Sequence, residues 1–185
     1  MVQIKRSRHY KTTDSSHHYH KYENLIKDVV PSRPNEIWVS DITYVETEEG
    51  VCYLSLITDA YSHMIVGWAV GPTLETVYPL EALRMALSTI DDETAAMLIH
   101  HSNRGSQYCS QTYVQELKRY NISISMTQSG DPLDNAVAER ANGILKTEWL
   151  YKMTIPTREA CKQELERIIN YTFYPGNELF FADNY

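Results

Sequence analysis

A single change of period governs what this chain can fold into. From Ile37 to Val70 the apolar and β-branched residues alternate or run together as in strands, and from Leu74 onward they recur at three- and four-residue spacing as on a helix. Ile37–Val45 reads as a first strand, ended by the polar turn Glu48-Glu49-Gly50. Val51–Thr58 and His63–Val70 follow, joined by Asp59-Ala60-Tyr61-Ser62, so three consecutive strands form an antiparallel meander.

Beyond the meander the pattern becomes αβαβα. Val77, Leu80, Leu83, Ala86 and Leu87 mark a helix within Leu74–Ile90, and the apolar run Ala95–Ile99 fits a buried parallel strand. Ser110 can cap a helix reaching Tyr120, with Tyr113, Val114 and Leu117 on one face. Ile122–Met126 is a fifth strand, broken off by the loop Ser129-Gly130-Asp131-Pro132. A long helix is expected over Leu133–Leu150, with an apolar stripe of Val137, Ala141, Ile144 and Leu145 and a polar stripe of Asn135, Glu139, Asn142 and Lys146. A last helix, Thr157–Tyr171, presents Cys161, Leu165, Ile168 and Ile169. The fold class is therefore α/β, a mixed five-stranded sheet flanked by helices. Its organisation is a basic, His-rich arm and linker over 1–34, a core over 35–152, and a C-terminal helix and tail over 153–185.

Composition removes several function classes. At 185 residues the chain can build one real core. No apolar run is long enough to span a bilayer, and Met1–Arg6 lacks the apolar stretch and cleavage site of a secretory signal, so a cytoplasmic location is expected. Cys52, Cys109 and Cys161 are scattered and odd in number, fitting neither a disulfide framework nor a CxxC zinc site, and read as small buried residues. His17, His18 and His20, with no nearby Cys or acidic ligands, read as part of a flexible polar arm. The net charge of −7 is unevenly placed, since residues 1–22 carry Lys5, Arg6, Arg8, Lys11 and Lys21 against Asp14 alone. A basic arm ahead of an acidic body is compatible with phosphate contact through the arm, and equally with simple solvation.

Three polar positions converge on one end of this sheet. Asp41 is mid-strand in the first β element, Asn103 follows the fourth, and Glu139 is on the long helix; the carboxyl ends of parallel strands form the crevice where such groups meet a ligand. Taken singly, each is unremarkable. Their surroundings are not: Trp38-Val39-Ser40-Asp41-Ile42-Thr43-Tyr44, His101-Ser102-Asn103-Arg104-Gly105-Ser106-Gln107-Tyr108, and Gly130-Asp131-Pro132-Leu133-Asp134-Asn135-Ala136 leading into Glu139 and Leu145-Lys146-Thr147-Glu148. These blocks resemble the integrase-like catalytic core of insertion-sequence transposases of the IS3 family, across roughly residues 22 to 171. The 35 residues between Asn103 and Glu139 match the spacing of that superfamily's second and third acidic positions.

The resemblance implies an RNase H-like fold and a DDE-type phosphoryl transfer on DNA. In that chemistry two Mg²⁺ (or Mn²⁺) ions roughly 4 Å apart activate the attacking oxygen and stabilise the leaving one. By analogy Asp41 would bridge both ions, residue 103 would hold one and Glu139 the other. Lys146, Arg104 and Gln107 are expected DNA contacts, while Asp134 and Asn135 would cap the catalytic helix. DNA ends and target DNA are the implied partners, with homo-oligomers acting in a bacterial cytoplasm at the nucleoid.

The chain departs from the family pattern at residue 103, where Asn replaces Asp. An amide brings no charge to a metal, so weak or absent strand transfer is expected. The stretch Asn170–Gly176 also keeps only the proline of the family's Tyr-Asn-x-x-Arg-Pro-His segment. A helix-turn-helix region ahead of the core is not recognisable either, as in a fragment of a longer transposase or a decaying element. Two alternatives stay open: an inactive DNA-binding or assembly module derived from such a core, and an RNase H-type nuclease acting on RNA–DNA hybrids.

Overall fold

A computed structural model describes residues 14–128 and 136–172. Five strands, β1 (Ile37–Thr47), β2 (Gly50–Asp59), β3 (Ile65–Gly71), β4 (Ile99–Ser102) and β5 (Ser123–Met126), form one sheet in the order β3-β2-β1-β4-β5. The meander β1-β2-β3 is antiparallel, whereas β4 and β5 join parallel to β1, giving the mixed sheet expected from the period change. Gly50, at φ +121°, makes the β1–β2 turn that a side chain would strain.

Helices cover both faces. The helix α1 (Val77–Leu87) lays Leu80, Leu83, Ala86 and Leu87 against Trp38, Ile42 and Ile57, while Val77 is exposed. Gly67 permits this close approach, because a Cβ there would sit 2.1 Å from the Ala82 carbonyl oxygen. On the opposite face α6 (Arg158–Thr172) buries the stripe Cys161, Leu165, Ile168 and Ile169 against Val45, Leu54 and Leu56. Cys52, Cys109 and Cys161 are all buried free thiols. Ser110 caps α4 (Gln111–Arg119), its side chain accepting from the Tyr113 N–H.

Three elements differ from the sequence reading. The apolar run from Ala95 is not a strand; a short helix α2 (Asp92–Ala96), capped by Asp91, takes its first residues, and β4 begins only at Ile99. A strand bearing His100, His101 and Ser102 is tolerated in the core because distant hydroxyls engage one nitrogen of each ring: Ser40 and Tyr113 reach His100 Nε2 at 2.7 and 2.9 Å, and Ser125 reaches His101 Nδ1 at 2.8 Å. A short helix α3 (Ser106–Cys109) also occupies part of the polar motif.

The long helix is divided. Its described part runs as α5 (Ala136–Ile144), then a π-helical turn at Leu145–Trp149 and a 3₁₀ turn at Leu150–Lys152. The π-helical turn begins one residue before Lys146, a distortion often found at functional sites. The proposed caps Asp134 and Asn135, the Ser129–Pro132 loop and the basic residues Lys5, Arg6, Arg8 and Lys11 lie outside the described residues.

From Asp14 onward, the stretch read as an arm lies against the body. Tyr22 packs on the α1-side core and Ile26 beside Ile37 and Val39, with exposed residues alternating between them. Met126 N–H donates to the Glu23 carbonyl at 3.1 Å and Leu25 N–H to Ser125 Oγ at 2.9 Å, so the segment covers the outer edge of β5. No helix among the described residues is long and apolar enough to cross a membrane.

Candidate active site

Two strand positions create the site. The parallel register sets Ser40 beside Ser102, so the next residue on each strand, Asp41 and Asn103, stands side by side where β4 ends. Asp41 is half-buried and its neighbour Ser40 fully buried, the two side chains pointing to opposite faces of the central strand. The Asn103 Nδ2 donates to Asp41 Oδ1 at 3.3 Å. From α5, Asn142 Nδ2 donates to the other carboxylate oxygen at 2.7 Å.

The orientation of Asn103 is fixed from behind. Gly105 N–H donates to Asn103 Oδ1 at 2.8 Å, which turns the amide oxygen into the loop and the NH₂ toward Asp41. Sequence reasoning brought Asp41 and Asn103 to one place, and so does the fold. Glu139 lies on α5, three residues before Asn142, although its side chain falls outside the described set. Asn142 was visible in the polar stripe as a helix-face residue; its spacing from Glu139 was the available signal for a place in the site.

Lys146 is half-buried on the π turn, with its ammonium 4.3 Å from the ring centroid of Tyr44. Burial lowers its pKa, and the charge of Asp41 pulls it back up. Beside this pair a cleft of about 480 Å³ is lined by Tyr44, Glu46, Lys146, Tyr151 and Met153. Burial also pushes the Tyr108 hydroxyl well above its ordinary pKa, with Tyr113 and Asp41 adding to the shift.

The other expected contacts separate. Arg104 is partly buried on the loop, and His17 Nε2 meets its carbonyl oxygen at 2.9 Å. Gln107 is turned inward: it is 6% exposed and its amide donates to the Leu74 carbonyl at 2.9 Å. It therefore holds α3 to the chain ahead of α1 and is not brought to the Asp41 site.

A hard divalent cation takes oxygen ligands. Asp41 offers them, whereas position 103, as oriented, presents N–H groups and has its oxygen engaged by Gly105. Among the described residues no three His, Cys, Asp or Glu side chains cluster as a metal site. Among the described residues, Asp41 alone can offer a cation a carboxylate oxygen here, and residue 103, as oriented, cannot.

Known proteins agree with this architecture. The integrase core domain family matches residues 31–132, and a second signature with the same description matches 120–171. The transposase for insertion sequence element IS629 of Shigella sonnei is 37% identical over 136 residues, 74% of this chain and 45% of that protein. The transposase InsF for insertion sequence IS3A of Escherichia coli K12 is 38% identical over 138 residues, 74% of this chain and 47% of that protein. The chain spans about half the length of the curated relatives it matches. Among solved structures, the HTLV-2 integrase catalytic core domain in complex with magnesium superposes with a TM-score of 0.55 at 20% identity, covering 78% of this chain and 92% of that one. The catalytic domain of Mos1 mariner transposase gives 0.58 at 13% identity, covering 80% and 74%. The sheet order and its flanking helices are the RNase H-like fold of these catalytic domains, and the chain belongs to the integrase core domain family, as a relative of IS3-family insertion-sequence transposases.

Proposed function

We infer that this chain is the catalytic core of an insertion-sequence transposase whose metal-dependent phosphoryl transfer on DNA is impaired by Asn103. The observation that carries this reading is the contact at residue 103: an amide N–H faces Asp41 where the family pattern has a second carboxylate. In an active relative, Asp41 and the acidic residues at positions 103 and 139 would hold divalent metal, which would activate the attacking oxygen and stabilise the leaving one. Here Asp41 keeps its charge, and Asn103 and Asn142 satisfy it as amide donors. One charge is missing from the site, so metal is held less tightly and the transition state is stabilised less.

Lys146 and Arg104 are the DNA contacts of this reading. Lys146 lines the cleft and feels the charge of Asp41, and as a cation of reduced hydration it can meet a backbone phosphate. Gln107 has no part in it, its amide being engaged at Leu74. The partners are the element's terminal repeats and target DNA, handled by a multimer of the chain, in a bacterial cytoplasm at the nucleoid.

The test is Asn103→Asp. In Mg²⁺ or Mn²⁺, cleavage and strand transfer of DNA carrying the element's terminal repeats should rise by at least ~100-fold, the scale of one lost transition-state contact. Equal rates for both forms would overturn the metal assignment. The pairing of Asp41 with two amides also favours a second reading, a catalytically silent DNA-binding or assembly module. Calorimetry separates them: a silent module binds DNA with the same affinity whether or not Mg²⁺ is present, and Asn103→Asp leaves that unchanged.

A further inference from the structure

The loop that carries position 103 is held from outside the sheet by residues far upstream. Three successive backbone groups there are engaged. His17 Nε2 meets the Arg104 carbonyl oxygen at 2.9 Å, across 87 positions of sequence. Gly105 N–H reaches Asn103 Oδ1 at 2.8 Å, and Ser106 N–H donates to the Asp14 carbonyl at 3.0 Å. Tyr19 N–H donates to His17 Nδ1 at 3.2 Å, which makes Nδ1 the acceptor and leaves Nε2 carrying the hydrogen for Arg104.

The upstream segment is itself braced. Ser16 N–H donates to Asp14 Oδ1 at 3.1 Å and Lys21 Nζ to the Ser15 carbonyl at 3.0 Å, closing a tight turn. Behind this turn, Tyr22, Glu23 and Leu25 fasten the segment to the core and to β5. On its far side the loop is anchored through Gln107 at Leu74. Position 103 therefore sits between two anchors, the loop ahead of α1 on one side and the segment ahead of β1 on the other.

We propose that residues 14–17 are a positioning clamp for site position 103, with His17 as its central residue. By holding the Arg104 peptide, His17 fixes the direction in which the side chain at 103 meets Asp41. Reaction centres depend on such placement, since a shift of about 1 Å is enough to lower a rate steeply. The proposal rests on the reading of Asp41 and residue 103 as the reaction centre, whereas its primary test involves no metal, DNA or turnover.

That test is amide hydrogen exchange by NMR on the whole chain. His17→Ala should speed exchange at Gly105 and Ser106 by about tenfold or more, with Leu54 and Leu56 of β2 unchanged. His17→Gln, whose amide can donate to the same carbonyl, should restore protection. Unchanged exchange at Gly105 and Ser106, or equal acceleration across β2, overturns the clamp. Should His17→Ala fail to fold, His17→Phe keeps a ring of similar size without the donor and is held to the same two outcomes. In an Asn103→Asp background, His17→Ala should weaken Mn²⁺ binding about tenfold and His17→Gln should recover it, as for other groups that orient a metal ligand. Equal Mn²⁺ affinities with and without His17 also overturn the clamp. If the Asn103→Asp protein binds no Mn²⁺ at all, the phosphoryl-transfer reading fails and the exchange result alone decides the clamp.

Discussion

On one face of the β1–β4 ladder, Ser40, His100 and Tyr113 form a fully buried polar group; on the other face, one residue along β1, Asp41 meets Asn103 and Asn142 half in reach of water. The first cluster carries no formal charge. Burial holds His100 down to about 3, the neighbouring His101 adding to the shift, and pushes Tyr113 up. The second keeps a carboxylate, with a lysine of lowered pKa nearby. At this ladder the fold thus buries its polar cluster in neutral form and leaves the Asp41 carboxylate at the carboxyl edge of the strands, where partial hydration offsets desolvation. Stability should depend on the buried cluster and chemistry on the exposed one.

The largest effect is expected at His100. His100→Ala opens a cavity and removes the ring nitrogen that two buried hydroxyls share, and it should lower unfolding stability by about 3 kcal/mol or more, read from urea titration. A loss below about 1 kcal/mol would show that the buried cluster is not what holds β1 to α4. The same residue sets a pH dependence. An unfolded chain protonates His100 near 6.5, whereas the folded chain resists until about 3. Between those values the unfolded state holds the extra proton, so stability is intact above pH 6.5 and falls as pH drops, by up to about 1.4 kcal/mol per unit. The urea midpoint measured from pH 7 to 4 should show this slope, and His100→Ala should flatten it.

At the exposed cluster the expected effect is smaller and changes sign with metal. Asn103→Asp replaces an amide donor by a second carboxylate beside Asp41, and without metal it should lower stability by about 1 kcal/mol through like-charge repulsion. Saturating Mn²⁺ should more than restore it, because a ligand that binds only the folded state stabilises that state. A thermal melt with and without Mn²⁺ reads both halves. Destabilisation that Mn²⁺ does not reverse would remove position 103 from any metal site.

The same contrast explains what could be read from the sequence. The antiparallel half was legible to within a residue or two, because β1, β2 and β3 pair with their neighbours across short turns and each strand carries its own alternation. The stripe of α6 and the Ser110 cap are equally local signals. In the parallel half, β4 was displaced toward Ala95, since His100 and His101 look like loop residues until Ser40, Tyr113 and Ser125 arrive from elsewhere in the chain. Residues 14–26 looked like a free arm for the same reason; Tyr22 and Ile26 find their apolar partners only in the folded sheet. The π turn left no trace in hydropathy spacing. At the site, Asp41 and Asn103 were legible through their motifs, whereas the inward turn of Gln107 and the reach of Asn142 depend on how helices cross the sheet.

The smallest effect concerns the contact between Lys146 and Tyr44. A ring face 4.3 Å from an ammonium stabilises the charged form, and in a half-hydrated setting this amounts to about 0.5–1 kcal/mol. Tyr44→Leu should therefore cost less than about 1 kcal/mol of stability. It should also move the Lys146 pKa further down, because leucine retains much of the burial that already lowers it while removing the quadrupole that opposes the shift. NMR titration of the Lys146 side chain reads this directly. A shift upward would mean that Tyr44 acts on Lys146 chiefly by excluding water. Lys146 would then belong with the desolvated groups of the interior, and the boundary between the neutral core and the charged edge would have to be drawn beyond it.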